Sequence, residues 1–80
     1  MDILFFGRLG DVASNISAPL PDGVSDTDSL TLWLSNHNEA LAHELTKTGN
    51  RIAVNKAIIT ANTSLSDIDE VAYMSPLSGG

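Results

Sequence analysis

The stretch Ser25-Asp26-Thr27-Asp28-Ser29-Leu30-Thr31-Leu32-Trp33-Leu34 stands between two groups of strand-like segments, and its reading decides the fold. Its first five residues are helix-capping types, and aspartates near a helix start meet the positive end of the helix dipole. Leu30, Trp33 and Leu34, then Leu41 and Leu45, recur at helical spacing. This predicts a main helix with one apolar face and the Trp33 ring in the core. The polar cluster Ser35-Asn36-His37-Asn38 breaks the helical region into two pieces, and Gly49-Asn50 stops the second.

Outward toward the start, Met1 to Phe6 is an apolar run rich in β-formers, which predicts a strand buried on both faces. Gly7, Gly10 and Asp11 predict a loop, and Val12, Ile16 and Leu20 a weaker strand closed by Pro19, Pro21 and Asp22-Gly23. Together they make a hairpin. Outward toward the end, Arg51 to Asn55 alternates like a strand, Asn55-Lys56 is a tight turn and Ala57-Ile58-Ile59 a short strand. Residues 60–69 are polar loop with Leu65 and Ile68 as anchors, and Glu70 to Met74 is the last strand, with Val71 and Tyr73 on one face. Two strand pairs around one main helix predict an α+β chain with a mixed sheet and that helix across one face. This is the β-grasp, or ubiquitin-like, arrangement; a split βαβ fold uses a similar set of elements. The expected division is a β-grasp domain over 1–74 and an extended, mobile tail over 75–80, rich in Pro, Ser and Gly.

Eighty residues make one domain with a small core. Hydrophobic residues are 42% of the chain, enough to exclude wholesale disorder. Ten acids against four bases give a net charge of −6, which disfavours nucleic acid and acidic membrane surfaces and favours a partner with a basic surface. No cysteine is present, so disulfides, thiolate zinc sites and cysteine nucleophiles are excluded. A secreted domain of this size needs staples, so the cytoplasm is the expected compartment. No apolar run approaches a membrane span, and Met1-Asp2 begins no basic signal region.

Chemistry-bearing clusters are sparse. His37 and His43 are six apart, so a helix puts them on different sides, and no metal site is expected. Asp67, Asp69 and Glu70 read as a solvated loop leading into the last strand. Gly7-Arg8-Leu9-Gly10 is neither a P-loop nor a dinucleotide fingerprint. Phe5 and Phe6 point to opposite faces of their strand, so one is available to a partner. Phe6 and Tyr73 are the candidate interface aromatics. The tail Ser75-Pro76-Leu77-Ser78-Gly79-Gly80 follows a strand and serves no element of the fold. A Gly-Gly end lacks side chains that would clash in a narrow channel. Its carboxylate is a chemical handle: adenylation activates it, and attack by sulfide with AMP as leaving group gives a thiocarboxylate, a good sulfur nucleophile.

Asp69-Glu70-Val71-Ala72-Tyr73-Met74-Ser75-Pro76-Leu77-Ser78-Gly79-Gly80 resembles the D-E-V-A-F/Y-x-P-P-V-S-G-G ending of the small subunits of molybdopterin synthase. Ala53-Val54-Asn55 resembles the central A-V-N strand and turn of that family, and Leu4-Phe5-Phe6-Gly7-Arg8-Leu9 its opening strand and loop. Ile68 stands where the family often has Gly, Ser75 replaces the first of two prolines and Leu77 replaces Val. A less rigid tail is the expected consequence.

The resemblance implies a sulfur carrier that is not an enzyme on its own. A ubiquitin-activating-like enzyme would adenylate Gly80, consuming ATP that this chain does not itself hold. A sulfur-donor system would then convert Gly80 to the thiocarboxylate. The tail would enter the large synthase subunit and give sulfur to precursor Z, the cyclic pyranopterin monophosphate, in molybdenum cofactor synthesis. Gly79 would be the clearance residue, and Pro76, Leu77 and Ser78 would line the channel. A thiamine-pathway sulfur carrier also ends in Gly-Gly, and a ubiquitin-like modifier would instead form isopeptide bonds with lysines.

Overall fold

The computed structural model describes residues 1–76. β1 (Asp2–Phe6) is followed by a short helix α1 (Arg8–Val12), β2 (Ile16–Ser17), α2 (Thr27–His37), α3 (Glu39–Leu45), β3 (Arg51–Val54), β4 (Ala57–Ile59) and β5 (Glu70–Met74). The five strands form one mixed sheet in the order β2-β1-β5-β3-β4. The first and last strands run parallel at its centre, Ile3 opposite Val71 and Phe5 opposite Tyr73. All other pairings are antiparallel. With α2 and its neighbours on one face, this is the β-grasp arrangement, not a split βαβ fold.

α2 begins where the capping residues stand. Asp26 accepts a hydrogen bond from Ser29 N–H at 2.8 Å, and the Ser29 side chain answers the Asp26 N–H at 3.2 Å. That reciprocal box satisfies two of the orphan donors at the helix start. Asn38 then ends α2 and caps α3 in one step, its side chain accepting from Leu41 N–H at 3.0 Å. The helical region therefore divides at the polar cluster, as the sequence predicts.

The core joins Ile3, Phe5, Val71 and Tyr73 of the sheet to Leu9, Val24, Leu30, Leu34 and Leu41. Leu9 belongs to α1, which the sequence reading takes for loop because Gly7 and Gly10 punctuate it. Leu9, Val12 and Ala13 at i, i+3 and i+4 carry the helical signal instead. The helix also shortens the second strand: Val12 lies in α1, and only Ile16 and Ser17 pair with β1. Residues 60–69 are pinned rather than loose. The N–H of buried Thr27 donates to the Thr63 carbonyl and the Thr63 N–H donates to the Thr27 hydroxyl, Asn62 Oδ1 accepts from that hydroxyl at 3.1 Å, and Leu65 N–H reaches Ser25 O. Leu65 packs against the core, but Ile68 is 92% exposed and anchors nothing. The loop is held by Asp69, bonded to Ser66 and Asn55, so no apolar anchor is needed at position 68.

Trp33 is only half-buried. It packs on the rim of the core and stacks on His37, ring centres 4.1 Å apart. His37 Nδ1 donates to the Trp33 carbonyl at 2.8 Å, which fixes that tautomer. Full burial in the core, as the helical spacing suggests, fails because α2 turns this edge toward a cleft of about 220 Å³ beside Phe5, Ile16 and Leu41. Trp33→Ala is expected to cost about 2–3 kcal/mol, below the range for a buried tryptophan. A urea titration checks it; an unchanged midpoint would show that the ring contributes no packing.

Candidate functional site: the open sheet face and the root of the tail

Strand alternation sorts the side chains of the sheet. Ile3, Phe5, Val71 and Tyr73 face the helices, so Leu4, Phe6, Ala72 and Met74 face away. The register carries this across to β3 and β4, placing Arg51, Ala53 and Ile58 on the outward face. Ala53 sits opposite Ala72, and both are buried although no helix covers them. Their larger neighbours shelter them: Leu4 and Met74 are half-buried, while Phe6 and Ile58 are 49% and 59% exposed. Two small residues at the centre and large apolar ones around them make a shallow apolar face. The expectation that β1 is buried on both sides is corrected accordingly, because every helix lies on the other side.

The two aromatics expected at an interface separate. Phe6 stands on this open face. Tyr73 does not: it is 1% exposed and points into the core. Its ring stacks on Phe5 with centres 5.8 Å apart, and its hydroxyl lies 2.8 Å from Thr31 Oγ1. Thr31 gives its own proton to Thr27 O, so the tyrosine O–H donates to Thr31. Burial pushes the phenol up to about 12. The parity that puts Val71 on the helix side puts Tyr73 there as well, which rules it out as a surface anchor.

β5 ends at Met74, and the packing runs on through Ser75 and Pro76. The Ser75 N–H lies 3.4 Å from Phe6 O, and Ser75 Oγ accepts from Arg8 N–H at 2.9 Å. Pro76 is half-buried against Gly49. The root of the tail is thus set beside Phe6, at the end of the open face. Leu77, Ser78, Gly79 and Gly80, where the channel-lining, clearance and reactive roles fall, lie outside the described residues.

Around the root, Arg8 Nε lies 3.7 Å from Glu44 Oε1, and Lys47 Nζ lies 2.6 Å from Glu44 Oε2. The Lys47 hydrogen bond is the main cause holding Glu44 below its ordinary range. Asp26 is lowered chiefly by Ser29, and Asp69 chiefly by Asn55. A carboxyl lowered on folding stabilises the fold above its unfolded value and loses that contribution as pH falls through the folded one. Melting temperature is therefore expected to be flat near neutrality and to fall below about pH 4. Asp26→Asn should flatten part of that limb in melts run across the acid range; an unaltered limb would remove Asp26 from the account.

Asp67, Asp69 and Glu70 do not converge on a site. Asp67 accepts from Leu20 N–H at 2.7 Å, and Asp69 ties the loop to the Asn55 turn. Among the described residues, no group of three or more His, Asp or Glu is placed to hold a metal ion. No helix among them is long and apolar enough to cross a membrane.

The features that remain are a uncovered apolar sheet face and a tail rooted at its edge. A search of curated proteins returns no match to the chain. The model of the ThiS family matches residues 3–80, which is nearly the whole sequence. That family covers small β-grasp proteins that carry sulfur without being catalysts themselves and work with partner enzymes. The chain belongs to the ThiS family of ubiquitin-like sulfur carriers.

Proposed function

We propose that this chain is the sulfur-carrying small subunit of molybdopterin synthase, acting in the cytoplasm. The observation that carries the reading is the tail root, held by Phe6 and Arg8 at the rim of an uncovered apolar face. A partner that covers Leu4, Phe6, Ile58 and Met74 receives the tail in a fixed relation to that contact. The ending Asp69 to Gly80 and its likeness to the molybdopterin synthase small subunits support this pathway.

The chemistry belongs to the Gly80 carboxylate. In a ubiquitin-activating-like enzyme, a carboxylate oxygen attacks the α-phosphorus of ATP and pyrophosphate leaves. Sulfide from the donor system adds to the acyl carbon, and AMP leaves with the C–O electron pair. The thiocarboxylate then enters the large synthase subunit and delivers sulfur to precursor Z. The domain supplies grip and orientation, the partners supply the reacting pockets, and ATP is held by the activating enzyme.

A thiamine-pathway carrier fits the same family match. The deciding experiment loads the chain with sulfur and offers it to the large molybdopterin synthase subunit with precursor Z, or to the thiazole-forming enzyme of the thiamine pathway. Dithiolene formation in the first arm supports the proposal; thiazole formation alone sinks it. Branched Gly-Gly conjugates on lysines in host extracts would point to a modifier instead. Deleting Gly80 is expected to abolish transfer in the productive arm while changing stability by less than about 0.5 kcal/mol. A large drop in melting temperature on deletion would mean that the terminus is structural.

A further inference from the structure

α1 has a defect at its start. Its N-cap is Gly7, which has no side chain to offer, and no cap bond arises from it. The first helical N–H, that of Arg8, would be an orphan. Ser75, sixty-seven residues away in sequence, fills the place: its hydroxyl accepts the Arg8 N–H at 2.9 Å. The same hydroxyl lies 3.5 Å from the carbonyl of Phe6, to which it donates. Gly7 is what makes the seat. It holds φ +66° and ψ −139°, and a Cβ built there would collide with Ser75 Oγ. Gly49, at φ +95°, leaves matching room for Pro76: a Cβ there would come within 2.6 Å of Pro76 Cγ.

We propose that Ser75 is the positioning residue of the tail, an N-cap given to α1 from the far end of the chain that sets where the last residues leave the domain. The inference rests on the sulfur-carrier reading for its functional consequence. Where the resembling small subunits have proline, this chain obtains the same restraint from a hydroxyl. A proline limits φ covalently; Ser75 limits its own position through Arg8 and Phe6. The tail then starts its path into a partner from a restrained point, and less freedom is lost on docking.

The test uses the full-length chain with Ser75→Ala and Ser75→Thr. Amide exchange and backbone order parameters are read in the free protein, and adenylation kinetics with the activating enzyme. In the alanine variant the Arg8 amide should exchange faster and the order parameter at position 75 should fall. Its kcat/KM should drop about tenfold, the cost of ordering roughly one more residue on docking. Its kcat should hold, because the docked tail is aligned by the enzyme. Threonine keeps the hydroxyl and should restore both readouts. An alanine variant with wild-type kcat/KM overturns the proposal, as does a threonine variant no better than alanine. If no activating enzyme adenylates the wild-type chain, the carrier reading fails, and the exchange data still judge the pin: equal protection of Arg8 in both proteins overturns it.

Discussion

Gly79→Val is expected to leave the melting temperature unchanged and to slow sulfur transfer by about 100-fold or more. Position 79 follows β5, which ends at Met74, so the change alters no residue of the sheet or of the core cluster. The partner does. A β-branched side chain beside the reacting carbonyl widens the segment and restricts its backbone, and both effects oppose a close approach to an activated phosphate. Two steps are to be measured separately: thiocarboxylate formation with the activating enzyme, and sulfur release from chemically prepared thiocarboxylate with the large subunit. Wild-type rates in both would show that the glycine pair is no clearance device, and tail threading would have to be abandoned.

Tyr73→Ala is expected to unfold the domain. The ring is 1% exposed, stacks on Phe5 and sits at the centre of the sheet between β1 and β3. Removing a buried aromatic costs about 3–5 kcal/mol. A domain of this size has on the order of 5 kcal/mol in hand. Tyr73→Phe is the control: it keeps the ring and loses one hydrogen bond, at about 1 kcal/mol, since Thr31 still donates to Thr27 O. Circular dichroism and a denaturant titration separate the two variants. A folded alanine variant with the wild-type midpoint would mean that the burial of Tyr73 contributes little to the fold.

Local signals in the sequence were reliable where one residue decides one event. Asp26 starts α2, Asn38 divides the helical region, and Asn55 and Lys56 take positive φ, as a two-residue hairpin turn requires. The misses are relational. α1 looks like loop until Leu9 finds the core. Trp33 looks buried until α2 rotates it to the rim, and Ile68 looks like an anchor although Asp69 holds the loop. The tail was readable as an expected chemical group from its terminal glycines, which lie outside the described residues. Its root was not: Ser75 reads as a loosened proline, and the donor that restrains it comes from the other end of the chain. Tyr73 shows the same limit. Alternation assigns it to a face, but only the position of the helices says which face is the core.

The parallel pairing of β1 and β5 has a practical bearing on experiments with this molecule. Asp2 lies beside Glu70 and Phe6 beside Met74, so Met1 stands at one end of the central strands and the end of β5 at the other. Five residues of strand separate them, about 16 Å of sheet. A purification handle, a fluorophore or a surface tether attached at Met1 therefore stands at the opposite end of the central strands from Met74 and Ser75. An immobilised chain of this kind leaves the Met74 end of the sheet facing solution, so binding of a partner there is measurable on a chip without the attachment standing in its way.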